Sequence, residues 1–462
     1  GGIWSIYESE IVNDKEAVMT YCTELKERRF TDGVTTSFQP QYSPDGKKVA
    51  YFQNREAICV VDLKSGKMHT AMDAKYTYSY SDGDQYFTWS PDGKWLLANY
   101  MGNGGWNNVD VALIDAEGKD EPVNLTQSGY TDSRPRWVMG GKAMIFASDR
   151  AGYRSHGSWG AHRDVYITFF DDEAYNKFRM NKEDRSLLEE SEKKDKKSEK
   201  KDSTEKEKKV EALELQLDNL DDRTMRLTFQ SSHLSDAVMN NEGTRLYYLA
   251  PHNGNMALWV RDFVEERTEL KMQRIDARSF QLDKSGNTCY FIGQGGTLCQ
   301  LNLNSASVKT IPFEAFTVTQ PAKTQAYNFE HIWRQTKEKL YDPGMNGADW
   351  ERLYTTYKRF LPHINNGYDF AEMASELLGE LNVSHTGCRY HAPSSSLPVA
   401  QLGIIPDETY QGEGIRVAEV LSGGPLDVCK DIKAGSIITS IDGMKIEACA
   451  DYYPMLAGKA GK

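Results

Sequence analysis

The chain has 462 residues, a mass of 52.3 kDa, a formal net charge of −12 and a pI near 5.4. That balance argues against nucleic acid or an anionic membrane surface as main partners, and no apolar run approaches the ~18 residues that span a bilayer. Hydrophobic content of 39% and aromatic content of 11% suffice for real cores, and the length predicts about two to four domains. The opening, GGIWSIYESE, has neither an initiator Met nor a leader and looks like the middle of a β region. The sequence is therefore expected to be a piece of a longer chain. Seven cysteines (Cys22, Cys59, Cys289, Cys299, Cys388, Cys429 and Cys449) are scattered and never form a CxxC pair. A zinc site or disulfide framework is not expected, and most should be buried small hydrophobes.

A repeat fills the first two-thirds. Residues 38–52 read FQPQYSPDGKKVAYF and residues 86–100 read YFTWSPDGKWLLANY. Each is an aromatic strand, a tight turn and an apolar strand, with Pro setting φ and Gly taking φ > 0. Weaker copies lie at 135–148, 237–250 and 279–293. The turn glycines Gly46, Gly93, Gly141, Gly243 and Gly286 recur about every 45 residues, with one gap near 100, which fits one four-stranded propeller blade per repeat. Second hairpins follow: a strand at 57–62, a turn at 63–67, strands at 109–114 and 164–169, and closing strands at Leu125-Thr126 and Leu227-Thr228. These repeats resemble the SPDGK-type blades of TolB-like and tricorn-like proteins. A β-sandwich with chance SPDG turns is the alternative, disfavoured by five spaced copies.

The long gap holds residues 181–209, almost wholly charged from Ser191 to Lys209 and without an aromatic residue there. It cannot bury enough to order itself, so a solvated loop between two strands of one blade is expected. Interleaved Glu and Asp argue against a basic binding arm. Leu213 to Leu217 then alternates and is expected to resume the blade.

After residue 313 the period becomes helical. Phe329, Ile332, Trp333, Thr336 and Leu340 form one stripe, broken by Asp342-Pro343-Gly344. Asp349 caps a second helix with Trp350, Leu353, Tyr354, Tyr357, Phe360 and Leu361 inward. In a third, Asp369 and Glu372 form a capping box and Phe370, Met373, Leu377, Leu378 and Leu381 share one face. Ser384-His385 sit just past its packed end. The strings YDPGMNGADWERLYTTY and ELLGELNVSHTG closely resemble the helical domain of tricorn-like serine peptidases. The resemblance implies that His385 is the general base and that Ser384 helps orient the acid of a catalytic tetrad; an imidazole is suited to take a proton near neutral pH and return it to a leaving amine. Cys388 is a poor rival nucleophile, three residues from His385 and facing away.

The last segment holds a strand around Ile415, Val417 and Val420, a Gly-Gly-Pro turn, a strand at 436–441, an Asp442-Gly443 hairpin turn and a helix start at 452–456. It resembles a bacterial-type PDZ domain, which adds an extended peptide to a sheet edge. The peptide-binding loop is expected at Gly412, Glu413, Gly414 and Ile415. Ser158, Ser422 and Ser436 lack the strand–turn–helix setting of a nucleophile. His156, His162 and Asp164 lie close in sequence, but a loop His pair is usually solvated rather than metal-bound.

The expected architecture is multidomain: a partial β-propeller over 1–318 with a charged disordered insertion at about 181–212, a small helical bundle over 319–398 carrying Ser384 and His385, and a PDZ-like α+β domain over 399–462, truncated at its C-terminus. The resemblance implies a fragment of a serine endopeptidase working by acyl transfer, with the nucleophile absent and this fragment inactive alone. The alternative is a non-enzymatic propeller–PDZ scaffold that binds peptides. No cofactor or metal is expected. Partners would be peptides or unfolded proteins, homo-oligomers are compatible with the sequence, and the location leans periplasmic with the cytoplasm as alternative.

Overall fold

The computed structural model describes residues 3–12, 15, 22, 24–79, 81, 83–102, 105–155, 159–199, 212–313, 320–391 and 399–461. His156, Ser158 and the 318/319 boundary lie outside the described residues. The chain divides into two compact units, Gly1–Thr317 and Val318–Lys462.

The first unit opens with a hairpin of β1 (Tyr7–Ile11) and β2 (Leu25–Arg29). Five four-stranded antiparallel blades follow, each with its strands in sequence order. They comprise β3 (Ser37–Tyr42), β4 (Lys48–Gln53), β5 (Ala57–Asp62) and β6 (Met68–Met72); then β7 (Phe87–Trp89), β8 (Trp95–Tyr100), β9 (Asp110–Asp115) and β10 (Val123–Asn124). The third blade has β11 (Asp132–Val138), β12 (Ala143–Ser148), β13 (Asp164–Phe169) and β14 (Thr224–Arg226). The last two are β15 (Asp236–Met239), β16 (Arg245–His252), β17 (Asn255–Asp262) and β18 (Arg267–Met272), then β19 (Arg278–Leu282), β20 (Thr288–Ile292), β21 (Leu298–Asn302) and β22 (Ser307–Ile311).

The repeated turn has one local logic. Ser43 donates to Asp45 at 2.7 Å and its Oγ accepts the Lys48 N–H at 2.9 Å. Ser90, Asp92 and Trp95 repeat this at 2.6 and 2.9 Å. In the weaker copies the Asn240 and Asp283 side chains accept the corresponding N–H groups of Arg245 and Thr288. The turn glycines have φ between 68° and 96°, a region that admits Gly without strain.

Middle strands bury both faces. Val49 to Phe52, Ile58 to Val61 and all of β13 are buried, as expected for sheets stacked on other sheets rather than facing water. Cys59, Cys289 and Cys299 are buried, and burial pushes the Cys289 thiol up to about 12; Cys429 and Cys449 are instead exposed. Neighbouring blades are tied through their innermost strands. Gln41 donates to the Phe87 carbonyl (3.0 Å) and the Trp89 indole returns a bond to the Gln41 carbonyl (3.1 Å). Arg136 of the third blade donates through Nη2 to both carboxylate oxygens of Asp236 of the fourth (2.9 and 3.1 Å) and through Nη1 to the Phe280 carbonyl of the fifth (2.8 Å). Asp236 also accepts the Phe280 N–H at 2.9 Å.

Three expectations are corrected. After helix α1 (Asp172–Arg179), which buries Ala174 and Phe178 in the core shared by the third and fourth blades, the charged insertion expected as a disordered loop at about 181–212 opens with helix α2 (Lys182–Glu199), because Glu and Lys are strong helix formers; residues 200–211 lie outside the described ones. Leu213 to Leu217 pairs with no strand: the Leu213 N–H docks on Asp92 (2.9 Å), and Leu215 and Leu217 pack against a core shared by the second and third blades. The closing strands lie just before the expected pairs Leu125-Thr126 and Leu227-Thr228 and end two residues earlier, at Asn124 and Arg226.

The second unit contains α3 (Pro321–Lys339), α4 (Trp350–Lys358) and α5 (Gly367–Gly379) around Phe329, Trp350, Leu353, Phe370, Ala374, Leu377 and Leu381. The Trp333 and Trp350 indoles each donate to the other residue's carbonyl at 3.0 Å, joining α3 to α4. Asp349 caps α4 by accepting the Arg352 N–H (3.1 Å), but Phe360 lies beyond that helix and is 40% exposed. The cap of α5 is Asn366, not Asp369: its Oδ1 accepts the Tyr368 and Asp369 N–H groups at 2.9 Å. Gly367 and Tyr368 continue the helix backwards, which places Asp369 inside the first turn. A three-stranded sheet follows, β23 (Ile404–Pro406), β24 (Ile415–Val420) and β25 (Ile437–Ile438), with a small hairpin of β26 (Ser440–Ile441) and β27 (Met444–Lys445) and a one-turn helix α6 (Tyr453–Leu456). No helix among the described residues is long and apolar enough to cross a membrane.

Replacing Asp236 by Ala strands the Arg136 guanidinium and the Phe280 N–H. Loss of one partner of a buried ion pair should lower stability by about 3 kcal/mol. A urea titration followed by tryptophan fluorescence checks this; an unchanged midpoint would show that the Arg136–Asp236 pair does not hold these blades together.

Candidate functional site

Helix α5 ends in a turn with Asn382 in the left-handed region (φ 50°), which reverses the chain after the buried Leu381. His385 is also left-handed, at φ 63°, and is exposed together with Ser384. The short loop that carries them is tied at both ends. Asn346 donates to the Leu381 carbonyl at 2.9 Å. At the far end the Ser375 hydroxyl donates to the Cys388 carbonyl and accepts the Cys388 N–H, each at 2.9 Å. Tyr357 donates to Glu380 at 3.0 Å, and burial, together with that carboxylate, pushes its phenol up to about 12.

The arrangement is an imidazole held at the apex of a pinned loop and open to solvent. No described residue hydrogen-bonds to its ring. An exposed neutral imidazole so placed can accept a proton from a hydroxyl brought against it. Cys388 is held by its backbone to Ser375.

Asn346 gains its reach from the Gly344–Gly347 loop. Asp342 accepts the Gly344 and Asn346 N–H groups at 2.9 and 2.8 Å, and Met345 and Asn346 both have positive φ. The sequence marks this loop by its Gly-Met-Asn-Gly run. Nothing in the sequence marks Ser375, a polar residue on a helix whose partner lies 13 residues away.

The expected peptide loop is placed differently. Gly412, Glu413, Gly414 and Ile415 lead into β24, the middle strand of its sheet. The Gly414 N–H is taken by the Ile446 carbonyl (2.9 Å), and Glu413 pairs with Lys445 (2.7 Å). With neighbours on both sides, β24 cannot accept another strand. The edges of this sheet are β23 and β25; β23 is preceded by Leu402 and Gly403 (φ 71°), whose N–H groups have no partner among the described residues. Of the residues set aside as a metal group, Asp164 accepts from Arg226, Thr228 and Ser231, and His162 packs edge-on to His233 at 4.5 Å.

A family model described as the Tricorn protease C1 domain matches residues 321–379. Tricorn protease homolog 1 of Streptomyces coelicolor is 21% identical over 456 residues, covering 91% of this chain and 41% of that protein. A crystal structure of the tricorn protease superposes with a TM-score of 0.59 at 16% identity, covering 95% of this chain and 43% of that one. By this C1 match and this shared fold, the chain is similar to the tricorn proteases over its propeller and C1 region. Tricorn protease of Thermoplasma acidophilum is also similar, 20% identical over 240 residues, 48% of this chain and 22% of that protein. The chain spans less than half the length of these tricorn relatives. The C1 match stops at Gly379, so Ser384 and His385 lie beyond it.

Replacing Ser375 by Ala removes both bonds to Cys388. A hydrogen bond of this kind contributes about 1 kcal/mol, so hydrogen exchange at the Cys388 amide should speed up five- to tenfold while the middle of α5 stays protected. An unchanged rate would show that the loop is not held from Ser375.

Proposed function

We propose that this chain is the propeller, C1 and PDZ-like portion of a tricorn-type serine peptidase. The propeller controls which peptides gain access. The PDZ-like segment holds a peptide by strand addition, and His385 is the general base of acyl transfer. The observation that carries the reading is the exposed imidazole on a loop tied through Asn346 and Ser375. Such tethering supports base catalysis, because a proton acceptor works only within hydrogen-bond reach of its donor. The hydroxyl that His385 would serve, and the acid that Ser384 would orient, belong to another part of the same peptidase. Relatives named as tricorn proteases support peptide bonds as the substrate.

For the peptide-holding step the open edge of β23 is the better seat. The unpartnered N–H groups of Leu402 and Gly403 lie at the start of that edge and suit a terminal carboxylate. This edge also favours a second reading, a scaffold that binds peptides without cleaving them, since strand addition needs nothing from His385.

One substitution separates the two. In the peptidase assembled with its nucleophile, His385→Ala should lower kcat by about 10⁴, the scale of losing a triad member, with peptide affinity at β23 unchanged. Normal turnover in that variant would leave only the scaffold.

A further inference from the structure

The channel side of the propeller contains a cavity of about 260 Å³, continuous in its lining with a larger one of about 1490 Å³. The smaller cavity is lined by Arg134, Arg136, Arg163 and Asp236 among apolar and small residues. Asp236 is used up by Arg136 and by backbone N–H groups. That leaves two guanidinium groups without a carboxylate in ion-pair contact among the described residues. Arg134 has a single side-chain bond, to the neutral Ser235 carbonyl at 3.1 Å. The Arg163 side chain has none among the described residues, although its backbone is fixed by two hydrogen bonds to Ser232 (2.7 and 3.1 Å).

Among the described residues Asp149 is the carboxylate that acts on Arg163, without forming an ion pair with it. Burial pulls the Arg163 pKa below its ordinary value; nearby Asp149 opposes this and Arg134 adds to it. Asp149 accepts the Thr131 N–H through Oδ1 (3.0 Å) and lies 3.5 Å from Arg154, but its buried Oδ2 makes no hydrogen bond among the described residues, so Asp149 offsets part of the Arg163 charge. The larger cavity adds Arg278 and one acidic residue, Asp84, whose oxygens are taken by its own loop through Ser79, Ser81 and Gln85. An independent sign comes from Ser133. It lines the same cavity, is 7% exposed, and its Oγ makes no hydrogen bond. A buried hydroxyl without a partner is costly unless something fills the space beside it.

In a protein of net charge −12, a recess where two guanidinium groups lack an ion-pair partner among the described residues and a hydroxyl stands idle suits an anion. We propose that Arg134 and Arg163 form a carboxylate seat in the propeller channel, which takes an acidic side chain or the C-terminus of a peptide passing through it. Exposed Tyr42, Tyr78 and Trp106 line the larger cavity and offer apolar contact to the rest of such a chain. The inference rests on the peptide reading given above and deepens it by assigning a charge preference.

The test uses the full 462-residue chain and fluorescence anisotropy with three labelled pentapeptides: Gly-Gly-Glu-Gly-Gly with both ends blocked, its Gln counterpart with both ends blocked, and the Gln peptide with a free C-terminus. The seat predicts that both carboxylate-bearing probes bind at least tenfold more tightly than the blocked Gln probe and lose affinity as salt rises. Arg163→Gln and Arg134→Gln should each remove at least tenfold of that preference, and Arg163→Lys should retain part of it. Equal binding of all three probes, or an unchanged preference in Arg163→Gln with an unaltered circular dichroism spectrum, would overturn the proposal. Inorganic phosphate displacing the Glu probe at lower concentration than unlabelled Glu peptide would mark a seat for free oxyanions and overturn the peptide assignment. Should Arg163→Gln unfold, the probe comparison on the unaltered chain and the Lys variant still decide. An apolar C-terminal peptide directed at β23 is measured in parallel. If it binds while the acidic probes show no preference, the seat alone falls; if neither kind binds, the peptide reading itself falls.

Discussion

The propeller depends on a constraint visible strand by strand: its middle strands are apolar on both faces. A sheet like that formed by β3 to β6 cannot stand in water alone, because Val49, Tyr51, Cys59 and Val61 pack to one side while Ala50, Phe52, Ile58 and Val60 pack to the other. Burial at ~25 cal/mol per Å² makes stacking the dominant favourable term, and it is non-directional. Direction comes from the polar ties of the innermost strands. Gln41, Trp89, Arg136 and Asp236 fix how far one blade slides past the next. The same strands carry residues in left-handed conformation, Gln39, Arg134 and Ser279, each inside a break of register. Bulges of this kind re-aim side chains, here in strands that border the channel.

The helical domain uses a different device. Its core is small, so specificity comes from paired polar bonds between elements: the reciprocal Trp333 and Trp350 indoles, Asn346 on the end of α5, and Ser375 on Cys388. Each bond joins segments distant in sequence, and together they fix a loop that would otherwise be free to move. The exposure of His385 thus coexists with a defined backbone, the combination a proton-transferring group requires.

Much of this was legible in the sequence wherever the cause was local. The Ser-Pro-Asp-Gly turns state their own geometry, and the continuous apolar run from Ile58 to Val61 could only be a buried strand beside them. Asp349 was legible as a cap because Trp350 begins the apolar face immediately after it. What failed depended on distant partners or on competing local choices. Asn366 and Asp369 are both good caps, and only the conformation of Gly367 and Tyr368 decides between them. The charge run after Lys182 forbids a core but not a helix, and those two statements were merged in expecting a loop. Leu213 to Leu217 alternates like a strand yet finds no edge to pair with. For the candidate site, the Ser384-His385 pair was visible through its position after a packed helix, whereas the anchors of its loop and the β23 edge of the last sheet needed coordinates. Sequence alternation does not say which strand of three lies in the middle.

One small feature of that last sheet has a wider consequence. β23 is only three residues long and ends in Pro406, which has no N–H to donate. An unprotected strand margin is a template on which copies of a protein can polymerise. Here the ladder that could be built outward is cut off after two residues, so a short terminus can dock while indefinite growth of a fibre-like sheet is blocked. A single imino acid thereby limits outward growth at the β23 edge of this sheet.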